Sequence, residues 1–391
     1  MRFGALLLAL VPLALAGWDV FCGDMSCPNV GVDITCSRPD HCYLAGGYSS
    51  SMMGVYETND FVNWEESIMK GFTPMVMTIA ASTAGPVAAG GMGAGNYSAI
   101  LAAVDGKTFY NAKVPDVISG QDIKAIRNNA TSASRAAFAF VGSNFLTGVD
   151  SLYLSNDGAR SFARVELGSR NLARYGAYPT ESTFFITLGT WPTSVKQRAA
   201  DTLNHCLRKS QHICVPAGDL TMAQVRAHNA AVTSANGGYV GQILRSSNGG
   251  KTFETMFSTN EYYFNDIACS SATTCIAVGE NLHTSMIMRT EDAGATWTEV
   301  FRQESQILTS LFRIRLAADG KTAFAAGGNA DNTGLQGFIY GSTDGGRTWA
   351  VAHKQPGVAI FLGLSISDDG TYGAAIGSTD RQTTYVLRYS A

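Results

Sequence analysis

The chain has 391 residues, a formal net charge of −3, only 15% charged residues, 46% hydrophobic residues and 42 glycines. So apolar a composition excludes a disordered chain, and the abundant glycine marks a turn-rich fold with material for one large core. The near-neutral charge, without any block of like charges, argues against nucleic acid and anionic membranes as partners.

Residues 1–16 read as a secretory leader, with Arg2, an apolar run from Ala5 to Leu15 and the small-residue pattern Ala14-Leu15-Ala16 ahead of Gly17. That run is too short for a hydrocarbon core of about 30 Å, and no later stretch is long or apolar enough, so no membrane insertion is expected. Residues 17–391 are then expected to form a single secreted, extracellular domain. Eight cysteines in an exported chain imply four disulfides. Cys36 and Cys42, and Cys269 and Cys275, each flank a five-residue turn between two strand-like runs, which predicts the pairs Cys36–Cys42 and Cys269–Cys275. Proximity adds Cys22–Cys27 and Cys206–Cys214. Asn96-Tyr-Ser98 and Asn129-Ala-Thr131 are glycosylation sequons.

One octapeptide recurs at intervals of roughly 45 to 52 residues, the range of a propeller blade. Its fuller copies are Ser155 to Phe162 around Asp157, Ser246 to Phe253 around Asn248, Thr290 to Trp297 around Asp292, and Ser342 to Trp349 around Asp344. Shorter versions precede them at Thr58 to Trp64 around Asp60 and at Val104 to Phe109 around Asp105. The physical reading is a tight turn whose carboxylate accepts backbone N–H groups, whose glycine takes a positive φ and whose aromatic packs between neighbouring units. The motif resembles the Asp-box (BNR) repeat, S/T-x-D-x-G-x-T-W/F, of sialidases, sortilin-type receptors, xyloglucan hydrolases and photosystem assembly factors of the Ycf48 type. The resemblance covers essentially all of residues 17–391 and implies an all-β fold, a β-propeller with these turns as structural elements.

Each copy lies between two strands, and two more short apolar runs stand upstream, such as Leu311–Leu316 and Thr322–Gly327 before the last copy. That makes four strands per unit. After the last copy, Phe361–Ser367, Tyr372–Gly377 and Thr384–Tyr389 supply three strands, and Gly17–Phe21 can supply the fourth and close the ring. Seven blades are expected, with six as the alternative. Between Asp157 and Asn248 the spacing roughly doubles. The residues there carry helix-like patterns at Ser194–Asn204 and Leu220–His228 around the Cys206 to Cys214 loop, so a helical insertion of about 193–233 is expected between strands two and three of blade four.

The boxes join strands three and four, so the loops joining strands two and three, and one blade to the next, share the opposite face with the insertion. On that face the candidate ligand-binding residues are Arg174, Tyr175, Tyr262, Tyr263, Asp266, Glu280, His283 and Arg313, since aromatics beside arginine and carboxylate suit a sugar or peptide. Catalytic residues are not assignable. His205, Cys206, His212 and Cys214 do not have zinc-ligand spacing, so no metal is expected, and no motif implies a cofactor. Sialidases carry Phe-Arg-Ile-Pro ahead of their first box. Here the nearest match, Phe312-Arg-Ile-Arg315, lacks the proline and falls before the last copy, so the resemblance implies fold without the sialidase catalytic set. The function expected is a secreted binding or scaffold module for a glycan or an extracellular protein. The alternative is a glycoside hydrolase, xyloglucanase-like or sialidase-like, with Asp266 and Glu280 as available carboxylates.

Overall fold

The structure is a computed structural model that describes residues 17–22, 28, 30–47, 54–93, 98–127, 132–144, 147, 149–168, 173–190, 238–281, 283–305, 308–331, 334–379 and 383–391. Among these residues the only helical turn is a short 3-10 segment at Ala133–Arg135. The helical insertion expected at about 193–233, the pair Cys206–Cys214, Cys27 and the sequon asparagines Asn96 and Asn129 lie outside the described residues.

The strands follow one another in antiparallel meanders. After β1 (Gly17–Cys22), the first sheet is β2 (Val30–Arg38), β3 (His41–Gly47), β4 (Gly54–Thr58) and β5 (Glu65–Glu66). The next nine strands form one sheet: β6 (Ile68–Met69), β7 (Met75–Ala81), β8 (Val87–Met92), β9 (Ile100–Ala103), β10 (Thr108–Asn111), β11 (Ser119–Ala125), β12 (Phe138–Asn144), β13 (Val149–Ser155) and β14 (Ala163–Glu166). Its two meanders, β7–β10 and β11–β14, are joined in the strand ladder by the single pair Ser119 and Met92. A four-stranded sheet comes next, with β15 (Ala173–Ala177), β16 (Phe184–Thr190), β17 (Val240–Ser246) and β18 (Glu254–Thr259). Another contains β19 (Tyr263–Cys269), β20 (Cys275–Asn281), β21 (Thr284–Thr290) and β22 (Thr298–Glu304). Then come β23 (Leu308–Leu316), β24 (Ala323–Asp331), β25 (Gly334–Ser342) and β26 (Ala350–Pro356). The last sheet has β27 (Val358–Ile366), β28 (Tyr372–Thr379) and β29 (Thr384–Ser390), and β1 pairs antiparallel with β29 as its fourth strand. The first and last described strands are thus held in one sheet, with Gly17–Phe21 in the place expected for it.

The first strands of the meanders, β2, β7, β11, β15, β19, β23 and β27, contact one another in that order, and β27 returns to β2. They line the axis of a closed ring, and the fold is a β-propeller. Hydrophobic clusters fill the space between consecutive sheets; Phe185, Ile243, Phe264, Ile267 and Met286 make one of them, and Trp18, Phe324, Leu364 and Leu387 another.

Every axial strand carries a bulge at the same place, skipping Val32, Met77, Gln121, Arg174, Asn265, Phe312 and Leu362 in turn. The residue ahead of the bulge faces a glycine on the second strand in all of these sheets except the one where Ala173 faces Leu188. The glycine is required because the bulged backbone crowds its partner: a Cβ on Gly327 would stand 1.9 Å from the Ser310 carbonyl oxygen. Where the ring closes, a Cβ on Gly363 would lie 2.8 Å from Asp33 Cα and 2.9 Å from Ile34 N.

The repeated turns join third to fourth strands throughout. Asp292 accepts from Thr290 Oγ1 at 2.8 Å, Thr296 N at 2.9 Å and Thr296 Oγ1 at 2.6 Å, and Asp157 and Asp344 do the same with their own hydroxyls. Asn248 keeps the geometry, accepting from Thr252 N at 3.0 Å and donating to Thr252 Oγ1 at 2.8 Å. In the shorter copies Asp60 accepts from Val62 N and Asn63 N, and Asp105 from Lys107 N and Thr108 N. Disulfides join Cys36 to Cys42 and Cys269 to Cys275, as the sequence predicts, and each clips the first hairpin of its sheet. Cys22 is also disulfide-bonded.

Two outcomes are expected. Hydrogen bonds from Asn63 to Asp60, and from Thr296 to Asp292, hold both carboxyls down to about 2. Because the folded values lie below the unfolded value near 4, the turns' contribution is present above about pH 4 and is lost as pH falls toward 2. Urea midpoints should fall across that window, and less steeply in Asp292→Asn; a flat profile would contradict this. Gly363→Ala should cost about 1–3 kcal/mol in urea unfolding by overpacking the closure. Gly54→Ala, where the nearest neighbour of a Cβ is a Glu66 side-chain oxygen at 3.5 Å, should cost less; equal losses would contradict the crowding account.

Candidate functional site

At five of these bulges the residue that follows reaches sideways to the backbone of the next axial strand; at the other two it is Tyr175 or Gly363. Asp33 accepts from Ile79 N at 3.1 Å, Thr78 Oγ1 accepts from Ile123 N at 3.3 Å, Asp122 accepts from Gly176 N at 3.0 Å and Asp266 accepts from Ile314 N at 3.1 Å. Arg313 Nε donates to the Leu362 carbonyl at 2.8 Å. Each side chain therefore satisfies a backbone group that the twist of neighbouring sheets would leave unpaired.

The axial carboxylates need cations, and Lys124 and Arg315 supply them. Lys124 Nζ lies 2.8 Å from Asp266, 3.2 Å from Asp122, 2.8 Å from the Gly176 carbonyl and 3.1 Å from that of Ile267. Arg315 Nη1 donates to the other Asp266 oxygen at 2.6 Å, and Ile267 N donates to the first at 2.8 Å. Burial alone would raise the pKa of Asp266, but Lys124, Arg315 and Arg313 outweigh it and hold the carboxyl down to about 2. Asp122 goes the other way, pushed up by burial. Arg313 is 2% exposed, and although burial opposes its charge, Asp33, Tyr175, Asp266 and Asp122 raise its pKa.

The predicted site residues separate into three groups. Arg174, Tyr175, Tyr263, Glu280 and Arg313 come together. The Arg174 guanidinium stands 5.9 Å from the Tyr175 ring centre and 5.5 Å from that of Tyr263, and the Arg313 guanidinium stands 5.0 Å from Tyr175. Tyr263 donates its hydroxyl to Glu280 Oε1 at 2.7 Å, and burial raises the pKa of Glu280. Phe312 and Tyr239 pack around this cluster. Asp266 belongs instead to the axial ion-pair network. Tyr262 turns into the core against Phe264, and His283 sits in the short β20–β21 connection, with its backbone bonded to Asn281 and Ser305.

One expectation is corrected here. Arg174, Tyr175, Tyr263, Asp266 and Glu280 lie within strands rather than in loops, Arg313 lies in the strand expected for it, and all but Arg174 are buried. The aromatic and β-branched runs around them have strand propensity and continue the axial strands further toward the face than turn signals indicated. The sequence reading also passed over Asp33, Asp122, Lys124, Arg127 and Arg315. A signal was present: Asp33-Ile34, Thr78-Ile79, Asp122-Ile123, Asp266-Ile267 and Arg313-Ile314 repeat one dipeptide frame at five of the bulges.

A cavity of about 1240 Å³ opens at the other end of the axis, where the repeated turns are. The ends of the axial strands and the first-to-second strand connections line it. Arg127 crosses this mouth, donating to the Cys269 and Ser270 carbonyls at 2.9 and 3.0 Å and lying 3.2 Å from Asp368 Oδ1. No group of three or more potential metal ligands occurs among the described residues.

The sequence matches no protein-family profile and no curated protein. Solved structures match in fold. A structure of YCF48 bound to D1 peptide is 13% identical with a TM-score of 0.55, covering 97% of this chain and 98% of that one. A GH74 xyloglucanase from Xanthomonas campestris is 12% identical with a TM-score of 0.57, and the match covers 94% of this chain but 54% of the xyloglucanase. U3-55K is 9% identical with a TM-score of 0.57, covering 96% and 98%. Identities this low establish the β-propeller fold alone.

Lys124→Met leaves two buried carboxylates facing each other and should cost about 3–5 kcal/mol by chemical denaturation. A loss below about 1 kcal/mol would mean that Lys124 does not hold the axis together.

Proposed function

We propose that this chain is a secreted, seven-bladed Asp-box β-propeller that works as a binding module. Its ligand is a protein segment, recognised at the Arg174, Tyr175, Tyr263, Glu280 and Arg313 cluster. The seven-blade reading divides the nine-stranded sheet at its single Ser119 and Met92 pair and counts one axial bulge per blade. Secretion is supported by the leader pattern of residues 1–16 and by disulfides, which persist in oxidising compartments. Among the described residues no helix is long and apolar enough to cross a membrane.

The observation that carries a binding role is the state of Asp266. Both of its oxygens are occupied, by Lys124, Arg315 and two backbone N–H groups, and it is held ionised. A carboxylate so placed neither donates a proton to a leaving group nor reaches an anomeric carbon, so the pairing with Glu280 that a glycoside hydrolase would need is not available. A protein segment is favoured over a glycan because sugars stack on open aromatic faces. Tyr175 and Tyr263 are buried beneath guanidinium groups and, for Tyr263, beside the stacked Tyr239 ring. The YCF48 structure of the same fold was solved with a peptide.

The test is a side-by-side screen of the secreted, oxidised protein on a peptide array, a glycan array and a set of fluorogenic glycosides. Binding to peptides without turnover is expected, weakened at least tenfold by Arg174→Ala. Turnover of a glycoside that Glu280→Gln abolishes would replace this reading with the hydrolase one.

A further inference from the structure

The cavity at the turn end of the axis has an uneven charge distribution. Its floor presents Lys124 and Arg315 and its mouth Arg127, whose side chains are 18%, 19% and 31% exposed. The carboxylates that pair with Lys124 and Arg315 lie beneath them, with Asp266 at 0% and Asp122 at 2% exposed. An incoming group therefore meets N–H donors before it meets the buried anions. The three cations are not equivalent. Lys124 already has four oxygens around its three protons, and Arg127 is tied to carbonyls across the mouth. Arg315 uses Nη1 for Asp266 and the Ile314 carbonyl, leaving Nε and Nη2 without a partner among the described residues. The rim has the opposite sign: Glu181, Asp368 and Asp369 are exposed there.

The geometry points to a second binding site in this cavity, distinct from the Arg174 cluster. It takes a peptide segment whose single acidic side chain reaches Arg315 on the floor, while an adjacent basic residue meets Glu181 and Asp368 on the rim. The volume, about 1240 Å³, suits a few residues rather than an isolated ion. The acidic rim disfavours polyanions such as sulfated glycans, whose further charges would face Glu181, Asp368 and Asp369. The mouth is also rigid, since Cys36 lines it in one disulfide and Arg127 grips the Cys269 carbonyl of the other. A preformed mouth lowers the ordering entropy that a flexible segment must otherwise overcome.

The experiment is fluorescence anisotropy on the full oxidised chain with a labelled hexapeptide holding one glutamate beside one lysine. The same peptide with glutamine for glutamate, and a sulfated disaccharide, serve as further probes. The acidic peptide should bind, with at least tenfold weakening on the glutamine exchange and in Arg315→Met. Because Arg315→Met removes a partner of Asp266 and can compromise folding, Glu181→Lys on the exposed rim provides a second reading and should weaken binding at least threefold. If the peptide binds and only Arg174→Ala weakens it, the segment sits at the other end; this inference is then overturned and the proposed function stands. Binding of the disaccharide in place of the peptide, or of no probe below millimolar concentration, overturns the inference as well.

Discussion

The bond on which the ring depends runs from the side chain after an axial bulge, at Asp33, Thr78, Asp122, Asp266 and Arg313, to the backbone of the next axial strand. Without it, the axial strands of adjacent sheets would rest mainly on apolar packing, which is strong but tolerant of sliding. The bulge aims one side chain sideways, and a short polar residue there fixes the spacing between neighbouring sheets. Where that residue is glycine, at 363, the neighbouring backbones close directly against each other. The second-strand glycines follow from the same constraint, because a bulged strand approaches its partner too closely for a Cβ.

This constraint also explains why the charged residues on the axis are structural before they are anything else. Placing Asp33, Asp122 and Asp266 on a narrow axis brings anions together in a region of low dielectric. Lys124, Arg313 and Arg315 neutralise them, and the surplus of guanidinium groups is left facing the two ends. The two proposed binding surfaces are by-products of that neutralisation: Arg174 and Arg313 among tyrosines at one end, and Arg315 and Arg127 in an open cavity at the other. The same cations, which the ring requires, lower the proton affinity of Asp266.

The architecture was legible in the sequence because it repeats. Asp157, Asn248, Asp292 and Asp344 announce the same hairpin, and Cys36 with Cys42 and Cys269 with Cys275 announce clipped ones. Gly17–Phe21 could be placed by counting strands, since a ring with a three-stranded last sheet needs a fourth. The site was less legible. Tyr262 and Tyr263 are adjacent, yet one enters the core and the other the site, and the choice depends on the bulge that skips Asn265 two residues later. A bulge adds one residue to one strand and reverses the facing of all that follow, which a period-two reading does not detect. The recurring Asp-Ile frame at 33, 122 and 266 is the trace such bulges leave in sequence.

The seam itself is open to direct measurement by amide hydrogen exchange in the native protein. The account predicts that the amides of Ile79, Ile123, Gly176 and Ile314, which donate to seam side chains, exchange only through global unfolding and rank among the slowest in the chain. If they exchange as fast as amides of the outermost strands β14 and β22, the sheets are held by their other contacts and the seam is not what fixes the ring.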